Sequence, residues 1–533
     1  MAKWGVLAVL GAAQFLMVLD QAVMNVAISQ LVADFDTTVT TIQAVIALYA
    51  LVMAGLMLTG GKLGDLLGRR RAFAIGLCIY AAGSALTAAS WNVPSLLLGW
   101  SVLEGIGAAL VLPAMVALVA ANFHGQERAL AYGVLGGIAG AGIAVGPILG
   151  GWATTELSWR VVFAGEVVVA AGIFAGLRLL KEEARSPSGE LDWVGGILSA
   201  LGLSLIVLGV LEASNWGWLQ PRSSPLEPFG FSLTPFVIAA GGLVLFAFRS
   251  WERHRETTGR EPLVHLRLLA LPRLRAGLVM LVSQNLILMG IFFTVPLFLQ
   301  VVQGLDALET GVRMLPASVG LFVSALGGSA LAKRLPARTI VRAGLAIVLV
   351  ATLLLLDTIE SELDNASFLI AMGVLGVGMG LIVSQLGNVV QSSVGAAERS
   401  EAGGLQNTAQ QLGSSLGTAF LGAVVITGLI SAFSANVEAN PAIEASVKQQ
   451  VSVRVAAGAS FVSAAEVEAA ARQEGIDSRS TAELVSGYED AQLSALKTAF
   501  LFAALLVVLA LLATRNLPTQ RFEELQAGPD PPR

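Results

Sequence analysis

The stretch LYALVMAGLMLTGGKLGDLLGRRRAFAIGLCIYAAG (48–83) holds two apolar runs joined by a short basic turn. Each run continues beyond the quotation, to about 42–62 and 72–90, which is the ~20 residues that a helix needs to cross a bilayer core of ~30 Å. Glycines at 61, 64 and 68 permit a tight turn between two helix ends, and Asp65 can pair with a neighbouring cation or sit at a helix N-terminus. The arginines at 69, 70 and 71 mark the turn as cytoplasmic, because Lys and Arg accumulate on that side of a membrane. This is the pattern of two membrane helices and the loop between them.

Working outward, the same pattern recurs along the chain. Further apolar runs lie near 5–29, 94–121, 129–153, 161–180, 193–213, 233–249, 276–302, 312–332, 339–356, 367–391, 402–430 and 497–514, which predicts fourteen spans in all. The runs are too long for barrel strands and do not alternate; helices satisfy their own backbone groups in lipid. Of the 533 residues, 55% are hydrophobic and 13% charged, against about a quarter charged in soluble proteins, and the mean hydropathy is +0.75. That excludes a conventional soluble enzyme and a disordered chain, and a net charge of −5 argues against nucleic acid as a partner. A single cysteine, Cys78, and three scattered histidines, His124, His254 and His265, offer no disulfide framework and no metal site. The first run is too long for a cleavable signal peptide and lacks a cleavage site, so it reads as a first span.

With the N-terminus inside, the loops after even-numbered spans and both termini hold 24 of the 32 Lys and Arg. Both termini are therefore expected in the cytoplasm. The segment 431–496 is polar, rich in Ala, Glu and Ser, and expected outside; AAEVEAAARQEG (464–475) favours short helices lying over the outer face. It is either a solvated connector or a lid.

The loop pattern GxLxDxxGRR resembles the signature loop of the major facilitator superfamily, here Gly61, Gly64, Asp65, Gly68 and Arg69. LDQAVMNVAIS (19–29) is similar to the opening motif of the fourteen-helix drug:proton antiporters in that superfamily. GAGIAVGPILGG (140–151) looks like their antiporter motif, carried by Gly140, Gly146, Pro147 and Gly150. SWRVVF (158–163) matches the usual entry to span six, and LDWVGG and LFLQVVQGLDALETGVRMLP (297–316) also follow the family. A fainter echo of the signature loop stands at GGSALAKRLPAR (327–338). The resemblance implies an all-α integral membrane protein of fourteen transmembrane helices, arranged as two pseudo-symmetric six-helix bundles plus two inserted helices. The expected division is 1–185 for the first bundle, 186–260 for the inserted pair, and 261–533 for the second bundle with its long outer segment.

Only three carboxylates lie clearly inside spans: Asp20, Glu104 and Glu166. A charge at the bilayer centre costs ~3 kcal/mol on insertion scales, and only Arg160 is placed to reach one of them, Glu166. A carboxyl without a cation in a poorly hydrated site is relieved by taking up a proton, so these three are the candidate proton-coupling residues; the plain alternative is a hydrogen bond to Asn25 or Trp100. The chain departs from the family here. Ser101 stands where the family's fourth span carries an arginine, Glu104 replaces a glutamine, Glu166 an asparagine, and Leu66 the arginine after Asp65. The second half contributes amides instead. Gln284, Asn285, Gln385, Asn388 and Asn407, with Phe292 and, from the first span, Asn25, are candidates for a cavity that suits bulky amphipathic ligands; bridging between helices is the alternative.

The function that the resemblance implies is proton-coupled export of lipophilic compounds, cationic ones among the candidates, by alternating access. Export of an endogenous lipid or secondary metabolite by the same fold is the alternative. No HExxH, Walker loop or nucleophile elbow is present, so neither an enzyme nor an ATP-driven pump is expected. The expected partners are the lipid bilayer, protons and a small lipophilic substrate, with no cofactor and no metal. The expected setting is a bacterial inner membrane, and the expected state a monomer.

Overall fold

The computed structural model describes residues 2–123, 125–180, 190–332, 334–395, 398–456 and 461–519. Among them there is helix and no strand. The first half runs α1 (Ala2–Val26), α2 (Ile28–Asp34), α3 (Val39–Leu67), α4 (Arg69–Ala88) and the short α5 (Val93–Leu96). A π-helical stretch, Leu97–Glu104, leads into α6 (Gly105–Asn122), followed by α7 (Gly125–Glu156) and α8 (Trp159–Gly176). Next come α9 (Trp193–Trp216), α10 (Thr234–Thr257), the short α11 (Leu266–Ala270) and α12 (Pro272–Leu297). A second π-helical stretch, Phe298–Val302, precedes α13 (Ala307–Leu331), α14 (Ala337–Asp357) and α15 (Asn365–Ser392). The chain ends with α16 (Arg399–Ala439), α17 (Ala445–Ala456), α18 (Ala464–Gln473) and α19 (Ser478–Ala513).

Thirteen helices among the described residues are long and apolar enough to cross a membrane. The expected fifth span falls on α7, a continuous 32-residue helix that is not one of the thirteen and many of whose side chains lie outside the described residues. Helix starts at one end of the bundle carry Asp, Asn, Ser or Thr caps: Thr38, Asn92, Ser158, Asp306 and Asp364 each accept from a backbone N–H of the first turn. Such caps satisfy orphan donors and complement the helix dipole. Hydrogen bonds from Ser367 and from the Ala366 N–H hold the Asp364 carboxyl below its ordinary range. The opposite end carries most of the arginines, Arg69, Arg253, Arg255 and Arg342 among them, while Arg160 and Arg313 lie at the capped end.

Helices α1, α3, α4, α6, α7 and α8 pack on one another, as do α12 to α16 with α19. The two sets meet along α3–α16 and α7–α13. Helix α9 lies against both α3 and α16, through an apolar patch of Ala47, Leu51, Ala54, Leu203, Val207, Val210 and Ala419. Helix α10 packs on α9 and leaves Leu243 and Phe246 exposed on the rim. At the arginine end of this pair, buried Asp192 caps α9 through the Gly195 N–H and accepts from Trp251 Nε1, with Arg255 Nε 3.5 Å from its Oδ2. Glu252, also buried, accepts from the Val264 N–H at 3.0 Å.

The polar segment 431–496 is more ordered than a lid lying flat. Both neighbouring spans run on into it, α16 to Ala439 and α19 from Ser478, so the ends of the segment are stalks rather than loop. Between them α17 and α18 fold back on the stalk. Phe461 is buried, Tyr488 accepts from the Val462 N–H, Gln492 donates to Val462 O at 2.7 Å, and Phe433 meets Tyr488 edge-on. Residues 457–460 lie outside the described set.

Candidate proton site and the helix contacts around it

The three span carboxylates come together. One oxygen from each of Asp20 (α1), Glu104 (the π-helical stretch) and Glu166 (α8) lies within 4.8 Å of the others, and all three are buried. Each has one oxygen held by a donor. Trp100 Nε1 donates to Asp20 Oδ1 at 2.6 Å, Thr87 Oγ1 to Glu104 Oε1 at 3.1 Å, and Ser84 Oγ and Tyr80 OH to Glu166 Oε2 at 3.1 and 3.3 Å. Each also has a second oxygen with no partner: Asp20 Oδ2, Glu104 Oε2 and Glu166 Oε1. Among the described residues, no Lys, Arg or His stands among the charges acting on them. Three carboxylates this close cannot all be ionised in an apolar core without a compensating charge.

Arg160 does not reach Glu166. It lies over the Trp159 ring, donates to Ser90 O at 3.1 Å and pairs with Asp34 at 2.7 Å. Trp159 Nε1 donates to the same Asp34 oxygen. Burial pushes the Asp34 carboxyl up, but hydrogen bonds from Trp159 and Arg160 outweigh it and hold the group below its ordinary range. The reason is reach: Arg160 is in the first turn of α8, where the α2 carboxylate is closer than a group nearly two turns deeper.

Why the acids meet is a matter of how closely helices pack. A Cβ on Gly83 of α4 would stand 2.6 Å from Glu104 Cγ and 2.7 Å from Gly99 O. Only glycine lets α4 approach the π-helical stretch so tightly, which seats Thr87 over Glu104. The wider π turn contains both Trp100 and Glu104 and aims them at α1, a use common for π-helical segments at functional sites. Ser101, at the position of the family arginine, donates to Val45 O at 2.8 Å and ties this stretch to α3. The donors Tyr80, Ser84 and Thr87 escaped sequence reading. Their spacing of four and three places them on one face of a membrane helix, a polar stripe that is a legible signal.

The signature loop turns on one residue. Gly68 has φ +96° and ends α3, its N–H bonded to Gly64 O at 3.1 Å. Gly61 and Gly64 are helical and make ordinary contacts, and Asp65 pairs with Arg69. In the antiporter segment, Gly146 meets Ala22 of α1, and Gly150 packs on Val23. Pro147 lies within α7 and its carbonyl faces Gly311 of α13. Gly140 lies outside the described side chains of α7.

Amides near the meeting of the two sets do two different things. Gln43 Nε2 donates to Thr418 O and Ala419 O, and Gln300 bridges Val26 O and the Ser29 N–H, so both cross between sets. Two of the expected cavity residues are spent locally and one bridges helices, while Gln284 Oε1 is buried without a partner. Asn25 and Asn285 donate to carbonyls one turn back in their own helices, and Gln385 bridges α15 to Gly328 O of α13. Gln284 and Phe292 are buried, Asn407 is half-buried and Asn388 exposed.

Comparison with known proteins agrees with this architecture. A family model described as Major Facilitator Superfamily matches residues 10–418. The chain is 33% identical over 449 residues to puromycin resistance protein pur8 of Streptomyces alboniger, covering 83% of this chain and 85% of that one. It is 30% identical to a probable actinorhodin transporter of Streptomyces coelicolor, over 82% of this chain and 75% of the other. Its fold is similar to that of a bacterial homologue of the human lysosomal transporter Spinster, solved inward-facing and unoccupied. There the TM-score is 0.61 at 15% identity, with 97% of this chain and 98% of that one covered.

Proposed function

The chain belongs to the major facilitator superfamily, and on that premise we propose that it exports lipophilic, antibiotic-like compounds in exchange for protons. The observation that carries this is the buried carboxyl cluster of Asp20, Glu104 and Glu166, with no cation beside it. Such a group holds protons while closed to water and releases them when a path to the cytoplasm opens. Ionisation then favours the arrangement that hydrates it, and that preference couples proton movement to the conformation of the bundle. The driving force is the proton gradient, so no cofactor takes part.

Alternating access here means rocking of residues 1–185 against 261–533, with the inserted pair 186–260 at the side. Fourteen spans, with α7 as the fifth, put both termini in the cytoplasm of a bacterial cell and the arginine end against the inner leaflet. The contacts that must break and re-form are α7 on α13, at Pro147 and Gly311, and the bridges made by Gln43 and Gln300. Ser101 carries no charge, so the relay runs through carboxyls alone rather than through the arginine usual in the family. Export of an endogenous secondary metabolite is the second reading, favoured by the relative named as a probable actinorhodin transporter.

The test is proton flux in proteoliposomes with a pH dye inside. Adding puromycin to protein under an imposed gradient should discharge it, and the Asp20→Asn and Glu104→Gln variants should not respond. Equal responses from wild type and both variants would sink the proposal.

A further inference from the structure

The second oxygens of the cluster point to something that protons alone leave unused. The donors Trp100, Thr87, Ser84 and Tyr80 are each already engaged with the other carboxyl oxygen, and Tyr49 is the one further hydroxyl beside the acids among the described residues. That leaves Asp20 Oδ2, Glu104 Oε2 and Glu166 Oε1 bare. A fourth oxygen stands beside them from a different helix. The Tyr49 ring of α3 stacks on Trp100 at 4.5 Å, its hydroxyl has no hydrogen-bond partner, and the residue is 1% exposed, next to Asp20 and Glu104. Carboxyl and phenol oxygens without donors are what a hard cation binds.

The spacing agrees. Carboxylate oxygens within 4.8 Å of one another can share a central ion with bonds of roughly 2.4 Å, the length hard cations of calcium or sodium size prefer, whereas magnesium demands about 2.0–2.1 Å and keeps its waters. Either charge can give a neutral cluster, but the monovalent ion needs only one carboxyl to ionise in an apolar core. With one such ion bound and two carboxyls still protonated, the cluster is neutral, the cheapest state in an apolar core. A divalent ion would require a second carboxyl to ionise.

We propose that Asp20, Glu104, Glu166 and Tyr49 form a binding site for sodium, which competes there with the protons of the same carboxyls. The inference builds on the reading of this cluster as the coupling site, and adds a second ion to it. Facing the site are the carboxyls of α1, the π-helical stretch and α8, the hydroxyls of Tyr80, Ser84 and Thr87 on α4, and Tyr49 on α3; none is cationic.

Binding of radioactive sodium to the purified full-length protein tests it, with choline chloride as the ionic-strength control and lithium and potassium chloride as competitors. Saturable binding near one ion per chain is expected at about pH 8.5, weakened about tenfold or more at about pH 6.5, because metal ligands must lose their protons. Glu104→Gln and Glu166→Gln should each weaken it by about 10–100-fold, and Tyr49→Phe by a smaller factor of about 3–5, in line with losses of ligand and supporting groups at other metal sites. Tyr49→Phe keeps the stacked ring, so it tests the site even if a carboxyl variant fails to fold. Absence of saturable binding, or binding unchanged in all three variants, would overturn the inference. Proton-driven transport in sodium-free choline buffer separates the two ideas. Transport without sodium binding removes the sodium site alone, while sodium binding without any proton flux removes the proton reading.

Discussion

Asp192 and Glu252 are buried as thoroughly as Asp20 and Glu104, and both pairs sit where two helices touch. Their surroundings differ in what balances the charge. At the base of α9 and α10, Arg255 stands 3.5 Å from Asp192, and the N–H groups of Gly195 and Val264 cap the carboxylates. A bare oxygen is not the difference, since Glu252 Oε1 lacks a partner as the cluster's second oxygens do. What sets Asp20, Glu104 and Glu166 apart is that no cation stands beside any of them among the described residues, and their donors are neutral hydroxyls and an indole. A paired carboxylate is a fixed part of the structure, because removing its partner leaves a charge stranded. An unpaired one is free to exchange what neutralises it. The same residue type therefore acts as a clamp in one place and as an exchange site in the other.

The contrast breaks first under carboxyl-to-amide changes. Asp20→Asn or Glu104→Gln should lower proton-driven transport by about 100-fold or more, the scale seen when an essential proton-transfer group is lost. Glu252→Gln should leave the rate within a factor of about two, since it keeps an acceptor for the Val264 N–H. Flux assays in proteoliposomes decide it; equal losses in all three would erase the distinction. Next in size, Arg255→Ala should destabilise the protein by about 3 kcal/mol, the cost of breaking a buried pair. Adding Asp192→Asn should recover part of that in thermal unfolding of the detergent-solubilised protein.

Smaller effects sharpen the picture. Gly83→Ala forces a methyl group against Glu104 and Gly99 and should cost about 1–3 kcal/mol by overpacking, with transport falling alongside stability. Ser101→Ala removes one buried hydrogen bond to Val45 O and should cost about 1 kcal/mol while leaving proton coupling intact, read from the pH dependence of transport. Smallest is the surface pair of Asp34 and Arg160. Its carboxyl is held below the ordinary value of 3.8, so its contribution is present at neutral pH and disappears as pH falls through that depressed value. The melting temperature of Asp34→Asn should lie below wild type at pH 7 and converge with it in strong acid.

Much of this was legible from residue order. Apolar runs of span length fall on the long helices, and the scarcity of acids inside them singled out Asp20, Glu104 and Glu166. What could not be read was that the three meet, because contact between α1, the π-helical stretch and α8 depends on how close α4 approaches. That approach is set by Gly83, and a glycine in an apolar run looks like any other. Arg160 was assigned to the wrong carboxylate for a related reason: Asp34 lies over a hundred residues away in sequence, in a short helix, α2, that hydropathy merges with the first span. The span amides of both halves illustrate the limit from the other side. Asn25 and Asn285 bond within their own helices, which a composition of polar residues in spans does not distinguish from a wet cavity.

Helix α16 has 41 residues, about 60 Å at 1.5 Å per residue, roughly twice the thickness of a bilayer core. Its membrane portion is fastened to α3 through Gln43 and Ser415, while its far part carries α17, α18 packing on α19 instead. The part beyond that fastening runs about 20 residues to Ala439, about 30 Å, and behaves as a lever: a swing of about 5° at the fulcrum moves the tip by about 3 Å. Spin labels or fluorophores on α17 would then amplify a rearrangement too small to resolve among the packed spans.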